Sequence, residues 1–214
     1  TRSRHGALPI ALTLAVCAAL LSACAEENNI TKTKQQAIKQ VGTPFAEGAI
    51  TMVIQTDPDL NALHGIANSC TLLVIQAQHA STLNKLLSNP YALKGMFSAA
   101  GAQDEILKVD RYAAMPGQRT TLHIDRSENT RHVAVVAGYY PFPQKQHMAM
   151  IRIPVTTESS GWWSPRWQAQ LIPVTLFVHL GSSSMTQFTG AMREPIRLKN
   201  ITPVPAQTPP EKGR

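Results

Sequence analysis

An all-β sandwich of about seven to eight strands carrying a short helical insertion is the fold predicted by this 214-residue sequence, and three observations predict it. Between positions 49 and 180 the apolar residues fall into seven short segments, alternating or continuous, rich in Val, Ile and Thr. Clusters of Pro, Gly, Asn and Ser separate those segments, as turns require. One stretch, 81–100, departs from the period of two and places leucines at helical spacing. Composition agrees: with 43% hydrophobic and 15% charged residues there is material for one ordinary core. A domain of roughly 150 residues buries about 68–70% of its unfolded surface, enough to stand without disulfides or metal.

The first element is not part of that domain. Arg2, Arg4 and His5 precede an apolar run from Leu8 to Leu21 that ends in Ser22 and Ala23, so 1–23 reads as an export signal. Its fourteen residues make a helix of about 21 Å, short of the ~30 Å hydrocarbon core, which makes a permanent span the weaker reading. Two cleavage sites are open. Ala23-Cys24-Ala25 is an A-x-A site, and cutting after Ala25 would release a soluble periplasmic protein. Leu21-Ser22-Ala23-Cys24 resembles the bacterial lipobox, in which the cysteine is acylated and becomes residue one. That resemblance implies a covalent lipid on Cys24 and, because Ala25 rather than Asp follows, delivery to the outer membrane. Burial contributes about 0.8 kcal/mol per methylene, so two or three acyl chains anchor stably where one holds marginally.

Cysteine and charge counts narrow the chemistry. Cys17 leaves with the signal and Cys24 takes the lipid, which leaves Cys70 alone on an apolar segment. An unpaired thiol without a C-x-x-C partner in an oxidising compartment reads as core. Lys+Arg 20 against Asp+Glu 13 gives +7, and loss of Arg2 and Arg4 leaves +5 on the mature chain. The charge is dispersed, without a basic run interleaved with aromatics, so nucleic acid is not indicated.

Residues 24–48 are polar and lack a sustained apolar face, which reads as a tether with one helical turn at most. As a coil, 24 residues span roughly 25–29 Å. The domain follows at 49–200. Its strands are expected at Ala49 to Thr56, Cys70 to Gln78, Ile106 to Tyr112, Thr120 to Asp125, Arg131 to Tyr140, Met148 to Val155 and Ile172 to Leu180. Pro116-Gly117 marks a tight turn before the fourth, and Ser127-Glu128-Asn129 reads as a hairpin after it. In the insertion, Leu83, Leu86, Leu87, Leu93, Met96 and Phe97 form a core-facing stripe, with Ser81 or Thr82 as cap, Gly101 as stop and Asn89-Pro90 splitting two short helices. The tail at 201–214 is Pro-rich and cannot pack a core.

These features together resemble the TssJ (SciN) family of type VI secretion lipoproteins. The residues that carry the likeness are the lipobox, the long loop before Cys70-Thr71-Leu72-Leu73-Val74-Ile75-Gln76, the helical insertion, and Met115-Pro116-Gly117-Gln118 leading into Thr121-Leu122-His123-Ile124. Val133-Ala134-Val135-Val136-Ala137-Gly138-Tyr139-Tyr140 and Met150-Ile151-Arg152-Ile153-Pro154-Val155 extend it to about residue 180. The resemblance implies a transthyretin-like sandwich on the periplasmic face of the outer membrane. It also implies direct binding to the periplasmic domain of TssM, linkage through TssM to TssL, and no catalysis. A carrier or small-ligand-binding lipoprotein of the same fold is the alternative.

A partner-binding candidate emerges from loop length. Asp57 to Ser69 joins the first two strands with thirteen residues, where a hairpin needs two to five. Leu60, Leu63 and Ile66 recur every three residues, so one helical turn would present them together, rimmed by Asp57, Asp59, Asn61 and His64. In the family it resembles, this loop contacts TssM. The competing reading is that its leucines plug the end of the sandwich.

Catalytic and metal signals are weak. A hairpin between Ser127 and Glu128 would set His123, Asp125 and His132 on one face, three ligands a zinc ion could use, but alternation alone produces that spacing. Gly181-Ser182-Ser183-Ser184 lacks the second glycine of a nucleophile elbow and reads as a turn. Trp162, Trp163 and Trp167 share one connection, which either folds back over the sandwich or offers an aromatic patch to lipid, glycan or a protein.

Overall fold

The structure, a computed structural model, describes residues 29–98, 104–141, 143–162 and 165–198. The export signal at 1–23, Cys24 and the tail at 201–214 lie outside the described residues, as do Gly101 and Trp163. In chain order the elements are α1 (29–39), β1 (Ala46–Thr56), β2 (Cys70–Ala77), α2 (Ala80–Leu87), α3 (Pro90–Phe97), β3 (Ile106–Ala114), β4 (Arg119–Arg126) and β5 (His132–Ala137). A 3-10 turn at Lys145–His147 then precedes β6 (Met148–Arg152), β7 (Val155–Ser160), β8 (Arg166–Leu171), β9 (Val174–Leu180) and β10 (Met185–Thr189). Contacts divide the chain into two units, one of Pro44–Ile153 with Pro173–Arg214, the other of Thr1–Thr43 with Pro154–Ile172.

The larger unit holds two four-stranded sheets, ordered β10-β9-β1-β4 and β3-β2-β5-β6. Every pairing is antiparallel except β1 with β9, where Ile50 to Thr56 runs alongside Val174 to Leu180. Burial in β9 alternates residue by residue, with Val174, Leu176, Val178 and Leu180 inside and Thr175 and Phe177 exposed, because only one face of this sheet is covered. In β2 nearly every side chain is buried. Leu73, Ile75 and Ala77 point to one face and pack with Leu83, Leu86, Leu87, Leu93 and Met96 of the helices. Leu72, Val74 and Gln76 therefore point to the other. Burial on both sides explains the continuous apolar run Leu72-Leu73-Val74-Ile75, and fully burying each such side chain contributes about 1.5–3 kcal/mol.

Gln76 ties the two sheets together. Its Nε2 donates to the Asp125 carbonyl of β4 at 2.8 Å, and its Oε1 accepts from Ser127 N and Thr130 Oγ1, each at 2.9 Å. A wholly buried amide is tolerable because both of its ends find partners. The 127–130 segment so held is where the sequence suggested a hairpin, and there the structure differs. Asn129 adopts φ 65°, and the chain crosses from β4 in one sheet to β5 in the other. The helices match the expected split, with Pro90 at the first position of α3 and Asn89 Oδ1 accepting from Ala92 N at 3.1 Å. The start of α2 is different. His79 rather than Ser81 or Thr82 occupies the cap, while Thr82 Oγ1 donates to Glu105 Oε2 at 2.8 Å.

The smaller unit contains α1 and the antiparallel β7–β8 hairpin, in which Ser159 pairs with Trp167 and Ser160 with Arg166. α1 runs for three turns where at most one was expected, since Lys, Gln and Ala are strong helix formers even without an apolar face. Lys34 Nζ lies 5.2 Å from the centroid of the Trp167 ring, joining helix to hairpin.

Candidate functional site

The 57–69 connection is a hydrogen-bonded projection, and the expected helical turn is absent. Leu63 and Ile66 exchange both backbone hydrogen bonds, 2.9 and 3.0 Å, across a two-residue turn of His64 (φ 51°) and Gly65 (φ 76°). Two consecutive positive φ angles define the tight turn whose twist suits a hairpin, and glycine takes the second position without strain. Below the tip, Asn68 N donates to Leu60 O at 2.9 Å and Asn68 Nδ2 to Ile66 O at 2.9 Å. Asn61 Nδ2 reaches Ser69 O at 3.0 Å. The projection is thus closed on itself.

Its root is bound to the rest of the sandwich end. Asp57 N donates to Leu180 O at 2.9 Å, Gly117 N donates to Asp57 O at 3.0 Å, and Asp57 Oδ1 lies 2.7 Å from His179 Nε2. Ala62 N donates to Ser182 O at 2.9 Å, and Tyr140 N to Asn61 Oδ1 at 3.1 Å. The Gly181-Ser184 turn is the hub of this end. Its carbonyls also receive His147 Nε2 at Ser183 (2.9 Å) and Tyr139 Oη at Ser184 (2.8 Å), and the two rings stack with centroids 4.6 Å apart. Because His147 Nδ1 accepts from Gln144 N at 2.8 Å, Nε2 carries the ring proton. Burial holds the His147 pKa below the usual imidazole value and pushes the Tyr139 phenol upward.

The seven sequence-predicted partner residues separate accordingly. Leu60 is fully buried (0%) and plugs the core, so it is removed from the candidate surface. Leu63 (39% exposed) and Ile66 (69%) stand at the tip, with exposed His64 between them and exposed Asp59 nearer the root. Asp57 and Asn61 are half-buried and hold the projection in place. Tyr140, 67% exposed and hydrogen-bonded to Asn61, adds an aromatic side chain that sequence reasoning missed. Its signal was available: Tyr139-Tyr140 closes the apolar segment expected at 131–140, where alternation would turn one ring inward and its neighbour outward, as the structure does just beyond β5. The hub could not be found that way, because it works through backbone carbonyls.

The remaining candidates lead elsewhere. His123, Asp125 and His132 do not converge: His123 Nδ1 is 3.4 Å from Thr51 Oγ1, Asp125 Oδ1 accepts from Gly48 N at 2.8 Å, and His132 Nδ1 meets Glu194 Oε2 at 2.8 Å. Among the described residues no group of three potential metal ligands occurs. Cys70 is buried with its thiol pushed up to about 11, which makes it unreactive. On the connection for which burial and an exposed aromatic patch both stood open, Trp162 is 89% exposed at the tip of the β7–β8 hairpin. An open groove of about 1020 Å³ runs between α2 and the 194–197 segment, lined in part by Asn84, Lys85, Glu194 and Arg197.

Two sheets and a braced projection with an exposed apolar tip define a class of protein, a mainly β module. The chain belongs to the T6SS-SciN family, the type VI secretion lipoproteins that include VasD, EvfM and TssJ, whose profile matches residues 49–182. It is thereby a type VI secretion lipoprotein. Among solved structures it is similar to the type VI lipoprotein TssJ1 of Pseudomonas aeruginosa at 15% identity and TM-score 0.46, over 70% of this chain and 98% of that one. It is also similar to Lip of Serratia marcescens, a membrane-bound component of the type VI system, at 15% identity and TM-score 0.47, over 67% of this chain and 96% of that one. A chain in a structure described as the TssM C-terminal domain from EAEC matches at 11% identity and TM-score 0.44, over 69% and 98%. No curated protein matches the sequence.

Proposed function

We propose that this lipoprotein is held by acyl chains on Cys24 to the periplasmic face of the outer membrane and binds the periplasmic domain of TssM, and through it TssL. On this reading 1–23 is the signal, 24–48 the lipidated link, 49–200 the binding domain and 201–214 an appended tail. The sheet orders, with β1 parallel to β9, support a transthyretin-like sandwich.

The observation that carries the proposal is the exposure of Leu63 and Ile66 on a projection braced from three sides. Exposed aliphatic side chains on a rigid tip lose little conformational entropy on binding, which is what makes an anchor efficient. Asp59 and His64 supply a polar rim. Pull-down of the TssM periplasmic region by the wild type and by Leu63→Asp/Ile66→Asp tests it. Loss of capture by a folded variant is expected, and undiminished capture rejects the projection as the contact.

A further inference from the structure

The projection joins the two sheets: Asp57 continues β1 of one, and Cys70 opens β2 of the other. Its place therefore depends on how the sheets are held against each other at this end. On the β1 side it is tied to Leu180 O and Ser182 O, and on the β2 side Asn61 Oδ1 accepts from Tyr140 N, just beyond β5. Tyr139 and His147, which come from the β2 sheet and clasp the turn of the other sheet, are 2% and 3% exposed. Neither is on a surface that a partner could reach.

Each carbonyl of the Gly181-Ser184 turn has a defined use. Ser184 O accepts from Gly181 N at 2.9 Å and from Tyr139 Oη at 2.8 Å, and Gly181 O lies 3.0 Å from the same hydroxyl. Ser183 O accepts from His147 Nε2 at 2.9 Å. Ser182 O is the one that serves the projection, accepting from Ala62 N at 2.9 Å. With the carbonyls on either side held by Tyr139 and His147, the Ser182 carbonyl is aimed at Ala62. The clasp is itself fixed, since Gly138 N donates to Thr71 O at 2.8 Å and Gln144 N to His147 Nδ1 at 2.8 Å. The turn has little room to shift: a Cβ on Gly181 would sit 2.9 Å from Thr186 Cγ2 and 3.4 Å from Asp57 Oδ2. Removing either donor frees the turn's carbonyls to swing toward water.

We propose that Tyr139 and His147 are positioning residues for partner recognition, which act from inside the sandwich, through Ser182 O and Ala62 N, to hold Leu63 and Ile66 where the partner meets them. The inference rests on the projection being the contact surface. A partner must supply whatever ordering the free protein lacks, so Kd rises in proportion as the braced fraction falls.

The test uses the full-length protein with Tyr139→Phe, His147→Leu and His147→Gln. Without partner, amide exchange at Ala62, Leu63 and Ile66 should speed up about tenfold in Tyr139→Phe and His147→Leu, while the amides of β2 and β5 keep their protection. His147→Gln, whose side-chain amide can donate to Ser183 O, should restore most of the difference. Against the TssM periplasmic region, Tyr139→Phe should raise Kd about three- to tenfold in the wild-type background. Added to Leu63→Ala/Ile66→Ala it should raise Kd by less than about twofold, because a projection stripped of its contacts gives the partner nothing to lose when it loosens. Exchange at Ala62 that neither Tyr139→Phe nor His147→Leu alters overturns the inference, as does faster exchange that leaves Kd at the wild-type value. An equal rise in Kd in both backgrounds, or loosening of β2 and β5 along with the projection, marks a general loss of stability and also overturns it. A wild-type protein that does not bind the TssM region fails the reading of the projection itself, and this inference with it; wild-type binding with unchanged exchange fails the inference alone.

Discussion

Truncating Leu63 and Ile66 to Ala separates binding from folding, and the structure gives the size of each effect. Fully burying an Ile or Leu side chain contributes about 1.5–3 kcal/mol. Ile66 retains 69% of its surface in the free protein and Leu63 retains 39%, so a partner that covers both gains roughly 1.6–3.2 kcal/mol from the pair. That corresponds to about a 15- to 200-fold rise in Kd for the double variant. Folding should barely respond, because neither side chain is packed in the core and the backbone pair between positions 63 and 66 needs no side chain. Leu60→Ala is the contrasting control. At 0% exposure its truncation costs about 2–5 kcal/mol of stability, a fall in Tm of roughly 4–20 °C for a chain of this size. The assay is titration calorimetry against the TssM periplasmic region at one salt concentration, paired with thermal melts. A double variant that binds like wild type refutes the reasoning. So does one that loses binding only in proportion to a lowered Tm.

Other consequences follow from the interior. The pKa values of His147 and His132 are lowered, in both cases chiefly by burial, so the unfolded chain binds more protons and stability present above about pH 6.5 is lost as pH falls below it. Tm should drop between pH 7.5 and 5.5, and His147→Gln should flatten that slope. Gln76→Met leaves Ser127 N and Thr130 Oγ1 without their partner and the Asp125 carbonyl with only the 3.5 Å contact from Lys108 Nζ, which predicts a loss of about 3 kcal/mol and faster amide exchange at Ser127. A Cβ at Gly138 would sit 2.6 Å from Phe97 Cε1 and 3.0 Å from the Thr71 carbonyl, so Gly138→Ala should cost about 1–3 kcal/mol, read from denaturant midpoints. Cys70 should resist iodoacetamide at pH 8 in the native protein and react on unfolding, because its thiol is buried and pushed up to about 11.

Strands with a covered face were legible because burial writes alternation or a continuous apolar run into the chain. All seven expected segments correspond to strands β1 to β6 and β9. β7, β8 and β10 escaped notice for the converse reason. Val155-Thr156-Thr157-Glu158-Ser159-Ser160 is mostly polar, and β10 is a five-residue edge. The false hairpin at Ser127 arose because alternation gives the face of a side chain but not the sheet a strand joins, and a buried Gln76 settles that choice through three hydrogen bonds. In the candidate site, loop length singled out the 57–69 connection, which the structure closes on itself as a projection. Three-residue spacing suggested a helical turn, but His64-Gly65 can hold two positive φ angles, and the resulting hairpin buries Leu60 while exposing Ile66.

The most direct test of the central claim places a photo-crosslinking amino acid at position 66 of the acylated full-length protein in cells that assemble the secretion system, with position 51 on the outer face of β1 as control. The account predicts a covalent adduct with the periplasmic region of TssM from position 66 and little from position 51. An adduct from position 51 with none from position 66 would contradict it.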